Sequence, residues 1–353
     1  MIAVEWNLPP ECNDALTCHL WAFVRLLTWY GVDNAAPIYG CACTFAADLS
    51  GEVPDVASWP PDWGPGATRI FGMRLEEADN DDFARGWAAV VQRIAAGHPT
   101  IIVANVHHLP FHYHYRIGSY GHCITVIGYD EARREAHLVD NGPSRWRGAL
   151  PLEQLQAACD IRGLPNGKNV QLRYFDILPP SRPVSMAAIA AADAAEVLHS
   201  MQRGIAGTDP VYESHPGHRC RGSAGIRALA DRLGRLAPAW GVDGGKDDAV
   251  GTALMALHLA AVAVAELRAG AQDSVTALAG AGRLRGAEDA ARAVALDFAE
   301  SRRLWRLAAA MFIRALAGKA EGTLVRIVGR LCEIADLEDH AATLLPRIAA
   351  AVR

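Results

Sequence analysis

Three side chains in the first half of the chain, Cys18, His122 and Asp140, have the types and the order of a cysteine-nucleophile site. A thiol attacks well only as the thiolate, so it needs a base beside it and a favourable electrostatic setting. Cys18 follows Thr17 at the expected start of a helix (TCHLWAFVRLLTWY, stopped by Gly31), where the positive end of the helix dipole favours negative charge. His122 precedes one apolar strand and Asp140 follows the next, and the position midway between them, 131, falls inside the charged turn DEARRE. Residues equidistant from a hairpin turn face each other, so His122 and Asp140 are expected as neighbours. A carboxylate there fixes the tautomer of the imidazole and stabilises its charged form. In this arrangement His122 acts as general base and acid, Asp140 orients it, and the Cys18 backbone N–H with the Asn13 side chain forms an oxyanion hole. Two plainer readings stand beside this one. A Cys on an Ala/Leu-rich helix also serves as a small buried hydrophobe, and a His beside a strand is often structural. Cys12, Cys41 and Cys43 are rival nucleophiles, whereas Cys123 points to the other face of its strand.

The elements that must position these residues are legible from pattern. Besides the Thr17–Tyr30 helix, Asp81–Ala96 reads as an amphipathic helix ending at Gly97. Thr100–Val106, Cys123–Tyr129, Ala136–Val139 and Asn169–Ile177 read as strands, and residues 45–70 as loop-rich. This is an α+β pattern with an antiparallel sheet.

The composition changes near residue 180. Ala accounts for 22 of the first 180 residues and 43 of the last 173, while seven of nine Trp and 14 of 19 Pro lie in the first part. The second part therefore reads as an all-α helical domain, 181–353, after a catalytic domain, 1–180, with the prolines of Leu178–Pro183 as the linker. Helices are expected near 183–204, 222–237, 247–268, 287–317 and 321–352. The uncharged run Ala249–Ala265 is about 17 residues, Ala-rich and interrupted by His258, which suits a buried bundle helix better than a membrane span. A net charge of −5 gives no basic excess for nucleic acid. The start MIAVEWNLPPE has neither a basic segment nor a long apolar run, so a cytoplasmic location with mostly free thiols is expected for the eight cysteines.

The loop HHLPFHYHYRIGSYGH gathers His107, His108, His112, His114 and His122. Imidazoles suit zinc, copper or iron, but the loop lacks helical i, i+4 spacing and interleaved carboxylates. It reads better as the border of a substrate cleft, with Tyr113, Tyr115 and Tyr120 as walls and no metal.

TCHLWAFVRLLTWYG and HHLPFHYHYRIGSYGHCITVIGYDE, followed by WRGALPLEQLQAA, resemble the motifs of the butirosin-type acyltransferase family. That family has a papain-like N-terminal domain, and AGIRALADRL and RLRGAEDAARAVALDFAES resemble its helical partner domain. The resemblance implies a cysteine acyltransferase of antibiotic-type biosynthesis. Such an enzyme takes an acyl group from an acyl carrier protein thioester and passes it to a small-molecule amine. No cofactor is required, and neither nucleic acid nor membrane is a partner. By motif position Cys18 is the nucleophile, His122 the base and Asp140 the third member. His19 departs from the acidic or small polar residue often found after the Cys, and it joins Asn13, Tyr113, Tyr115 and Tyr120 as an expected substrate-side residue. Hydrolysis by the same triad and a non-catalytic binding role remain alternatives. Arg302, Arg303 and Arg306 are either solvated helix charges or a face for an acidic carrier.

Overall fold

A computed structural model describes residues 1–10, 17–41, 43–56, 63–142, 144–164, 169–210, 212, 217–243, 248–317 and 322–353. In chain order the elements are β1 (Ile2–Ala3), α1 (Cys18–Trp29), α2 (Ala36–Gly40), β2 (Ala46–Asp48), β3 (Asp55–Val56), α3 (Trp63–Phe71), β4 (Arg74–Asn80) and α4 (Phe83–Ala95). They continue with β5 (Thr100–Asn105), β6 (Gly121–Asp130), β7 (Glu135–Asp140), β8 (Trp146–Pro151), α5 (Leu152–Cys159) and β9 (Leu172–Leu178). Last come α6 (Ala191–Ala206), β10 (Cys220–Arg221), α7 (Gly222–Asp243), α8 (Asp248–Gly280), α9 (Glu288–Leu316) and α10 (Thr323–Ala351). The chain is α+β, with an antiparallel sheet in its first part and helices in its second.

Two compact units result, Met1–Asp33 with Met73–Pro180, and Asn34–Gly72 with Ser181–Arg353. The first holds the sheet, in the order β4-β9-β5-β6-β7-β8, with β1 added beside β6. Every pairing in it is antiparallel. The central strand β5 is buried along its whole length, which is why TIIVAN has no polar alternation. Helix α1 buries Leu20, Phe23, Leu26 and Leu27. The Thr17 hydroxyl accepts from the Leu20 N–H at 3.3 Å and starts the helix, and Gly31, at φ +86°, ends it. Helix α4 is capped likewise by Asp82, whose carboxylate accepts from the Ala84 N–H at 2.8 Å.

Two strands escape the alternation rule. β4 reads RLEEADN and forms one edge of the sheet, where charges guard an open edge against pairing with other chains. Its Glu77 and Asp79 are matched by Arg173 of β9, at 3.0 and 2.8 Å. β8 is the opposite edge.

Residues 34–72 group with the helices, so the sheet unit is not the continuous stretch 1–180. The reason is pairing and close packing rather than composition. β2 pairs with β10, Ala47 opposite Cys220, and Phe45 stacks on Trp305 at 5.8 Å. Gly40 of α2 meets Gly270 of α8 so closely that a Cβ on Gly40 would lie 2.2 Å from the Gly270 carbonyl carbon.

Val250–Gly280 is long and apolar enough to cross a bilayer by length and composition, with a hydropathy of 1.8 in its most apolar window. In the structure this stretch, most of α8, buries Leu254, Leu257, Ala261 and Val264 in the helical core. Farther along the same helix Arg268 is fully buried and bonded through two nitrogens to Glu338 of α10, at 2.8 and 2.7 Å. Its third nitrogen donates to the Thr44 carbonyl at 2.9 Å, and the Ser301 hydroxyl donates to Glu338. A buried pair satisfied this completely becomes costly when one member is removed, because the other is left as an uncompensated charge. Glu338→Ala is therefore expected to lower the stability of the helical unit by about 3–5 kcal/mol in urea unfolding. A loss under about 1 kcal/mol, the scale of an exposed pair, would contradict the role given to this bond.

Candidate active site

Cys18 is the first residue of α1, directly after the Thr17 cap. At this position the backbone N–H has no acceptor within the helix and the dipole favours an anion. The residue is neither fully exposed nor fully buried. His122 stands near the start of β6, paired across from Ala104 of β5, and Asp140 closes β7.

The β6–β7 hairpin brings His122 and Asp140 together, but not as directly opposed residues. The turn is closed by Asp130 and Glu135, and the register then shifts between Val126 and Gly128. Thr125 consequently faces Val139, so Asp140 continues opposite Ile124, and His122 is its diagonal neighbour on the same face. Counting from residue 131 misplaces the turn, whose centre lies between Ala132 and Arg133. An unbroken ladder from there would set Asp140 opposite Thr125, on the other face from His122, and the irregularity at Ile127 moves it opposite Ile124. The side chains span the offset, and His122 Nε2 and Asp140 Oδ1 lie 2.8 Å apart. The residue that faces His122 in this register is Gly142. Its N–H donates to the same Asp140 oxygen at 2.7 Å. A Cβ on Gly142 would lie 2.7 Å from His122 Cε1 and 2.9 Å from Asp140 Oδ1, so a side chain here collides with the pair. Sequence reasoning missed this residue, although a glycine two positions after the carboxylate (DNG) was the available signal.

The electrostatics favour an ion pair. Burial by itself pushes the Cys18 thiol up. The His122 charge, a hydrogen bond from His122 and one from the Cys123 backbone outweigh it and hold the thiol below its ordinary value of 9.0. Burial alone would likewise push His122 down, but the facing Cys18 thiolate and Asp140 carboxylate raise it well above 6.5. Asp140, with no exposure at all, is held low against its burial by His122 and the Gly142 N–H. Since Nε2 is taken by Asp140, Nδ1 is the nitrogen left for Cys18. The thiolate–imidazolium pair is lost as pH falls through the Cys18 value, when sulfur takes a proton. It is lost again as pH rises through the His122 value, when the ring gives one up.

The other expected residues are placed less uniformly. Asn13 and Cys12 lie outside the described residues. His19 is buried, stacked on Phe23 at 5.2 Å and tilted against Phe175 at 5.5 Å; burial, helped by Arg173, takes its ring down to about 3. It is a neutral core ring and not a surface facing a substrate, because the second position of α1 turns toward the sheet. The His-rich loop connects β5 to β6 and is closed by the Val106 N–H donating to the Tyr120 carbonyl. Within it Tyr120 shares a 2.7 Å hydrogen bond with His114 Nδ1, and burial and a hydrogen bond to Tyr113 raise its hydroxyl. The Cys18 charge also bears on Tyr120. Tyr113 is exposed, while Tyr115 carries the Arg116 guanidinium over its ring at 4.9 Å. Among the described residues no group of three or more His, Cys, Asp or Glu side chains is arranged to hold a metal ion. Cys41 and Cys43 are buried with their thiols raised, Cys43 to about 12, chiefly by burial. Cys123 is raised as well by its burial and by Cys18. In the helical unit Arg303 is doubly bonded to Glu300, at 2.7 and 2.6 Å, which leaves it little free charge.

Residues 55–141 match the family model described as Butirosin biosynthesis protein H, N-terminal. That is the family whose motifs the chain resembles, and the matched stretch, about a quarter of the chain, contains His122 and Asp140 and begins after Cys18. Among curated proteins none matches the chain.

Two outcomes follow from the geometry. A thiol-alkylating reagent is expected to label Cys18 before Cys41, Cys43, Cys123 and Cys159, whose buried thiols are all raised. Peptide mapping with one of these four labelled first would contradict the assignment. Gly142→Ala is expected to slow Cys18 labelling near neutral pH by about tenfold or more, because it displaces the ring that stabilises the thiolate and one unit of pKa is a tenfold change. The position carries no positive φ, so the fold should persist; unchanged labelling in a folded variant would refute the steric argument.

Proposed function

We propose that the chain is a cysteine-dependent acyltransferase of antibiotic-type biosynthesis. It moves an acyl group from a carrier-protein thioester to a small-molecule amine. The observation that carries this reading is the linkage of Cys18, at a helix N-terminus with a lowered thiol, to a His122 ring that Asp140 holds at its far nitrogen. Cys18 thiolate attacks the thioester carbonyl, and the tetrahedral oxyanion is met by the Cys18 N–H. The carrier thiol leaves with the His122 proton, and a Cys18 acyl-enzyme remains. The amine then gives its proton to His122 as it displaces Cys18 sulfur, restoring the starting ion pair. No step needs a metal or a redox cofactor. Asn13 keeps its proposed place beside the oxyanion, and Tyr113 and Tyr120 line the acyl or amine side; the packing of His19 removes it from that role.

Hydrolysis is the same chemistry with water as the acceptor. What favours the amine is the dryness around the base, since His122 is 2% exposed and His112 4%. Free thiols throughout the described residues suit a reducing, cytoplasmic setting.

The test is intact mass after mixing the protein with an acyl carrier protein thioester. Wild type should gain the mass of the acyl group, lose it when an amine is added, and release an amide. Cys18→Ala should gain no mass and lose turnover by at least about a thousandfold, the scale of losing a covalent nucleophile. An acylated wild type that yields only free acid would replace transfer by hydrolysis. Full turnover by Cys18→Ala would end the covalent reading.

A further inference from the structure

The mechanism above gives no part to His112, yet its ring lies against that of His122, with centroids 4.8 Å apart and planes inclined by 60°. We propose that His112 is a positioning residue for the Cys18–His122 pair, a fixed ring that holds the His122 imidazole in the orientation serving Cys18. The proposal rests on the reading of Cys18 and His122 given above.

The need for such a ring follows from how His122 is held. Asp140 grips it at one nitrogen, and Gly142 sits at its Cε1 edge. When Cys18 is acylated its bond to the ring is given up, and a ring then held only by Asp140 can swing about that bond, so its plane needs a further contact. His112 supplies one, and it is itself immobilised. Its Nδ1 accepts from the His114 backbone N–H at 3.1 Å, and the His112 backbone N–H donates to the Leu109 carbonyl at 3.0 Å. Tyr113 stacks on it at 4.5 Å, and Tyr120 meets it edge-on at 6.1 Å. The loop that carries it is pinned to β8 by Phe111 stacked on Trp146 at 3.9 Å.

The bond at Nδ1 also settles the charge of His112. A ring that accepts there carries its proton on Nε2 and is neutral. The groups facing it are His122, Asp140, His114, Tyr113 and Tyr120. Burial first, then the positive His122, keep it down to about 4, against a small opposing pull from Asp140. A neutral ring can rest on an imidazolium without repelling it, and aromatic faces attract cations. A second cation at this distance would weaken the pairing of His122 with Cys18.

The test is the pH dependence of Cys18 alkylation by iodoacetamide, with thermal unfolding run in parallel. Loss of the wall lets His122 swing from Cys18, so His112→Ala should move the labelling midpoint up by about one pH unit, a tenfold loss of thiolate below it. His112→Phe, which keeps a flat ring but forfeits the His114 bond, should lose some stability and keep the wild-type midpoint. A merely structural role would lower the unfolding temperature and leave every midpoint in place. If His112→Ala does not fold, His112→Leu, which fills the volume without a flat face, should shift the midpoint as His112→Phe does not. A wild-type midpoint in folded His112→Ala or His112→Leu overturns the proposal. A wild-type protein that titrates at or above 9.0 instead overturns the thiolate reading beneath it.

Discussion

Asp140 is a carboxylate with no exposure to solvent, and a buried charge of that kind persists only when a positive partner and hydrogen-bond donors face it. That requirement organises this end of the sheet unit. The positive partner is His122, whose bond to Asp140 fixes which nitrogen is free for Cys18. The donor is the N–H of Gly142, and the absence of a side chain there gives the imidazole its room. Once His122 is charged, Cys18 gains the counter-charge that holds its thiol low, against the effect of its own burial. Removing Asp140 would leave Cys18 alone to support the charge of an imidazole in a dry pocket, and the Cys18 thiol would rise with the weakened ion pair.

The fold has to deliver two ends to one place, the start of α1 and the open end of the β6–β7 hairpin. How much of this was legible depends on the physics of each element. The Thr17 cap, the Gly31 stop and the continuous apolar runs of β5 and β6 are local signals, and the observed bounds fall within a residue or two of those read from pattern. The pairing of His122 with Asp140 was legible as proximity but not as register. The turn is centred between Ala132 and Arg133 and not at 131, and one irregular residue, Ile127, takes back one position of the resulting offset, which no spacing rule contains. β4 and β8 were invisible because edge strands carry charge and partial exposure in place of alternation. Gly142 and His112 escaped because their importance lies in what touches them in space. His19, by contrast, was expected at the substrate side from its neighbour in sequence, and a one-residue step along a helix turns a side chain by about a quarter of a turn.

The helical unit answers different constraints. Its Ala-rich helices give smooth surfaces that pack closely, and the Gly40–Gly270 approach takes this to backbone contact. Such surfaces specify little on their own. The buried Arg268–Glu338 pair, with Thr44, Ser301 and Trp305 around it, ties α8 and α10 to the strand region of residues 43–56 at one defined point. This explains why composition placed residues 34–72 with the sheet while packing places them with the helices.

The central claim is that Cys18 is a thiolate made by His122 and Asp140, and the ultraviolet absorbance of the thiolate reports it without substrate. In a pH titration the wild-type protein should show an absorbance step with its midpoint clearly below 9.0. The step should vanish in Cys18→Ser and move upward in Asp140→Asn, because a neutral amide no longer supports the imidazolium. A first step at or above 9.0 in the wild-type protein, or an unmoved step in Asp140→Asn, would contradict the account.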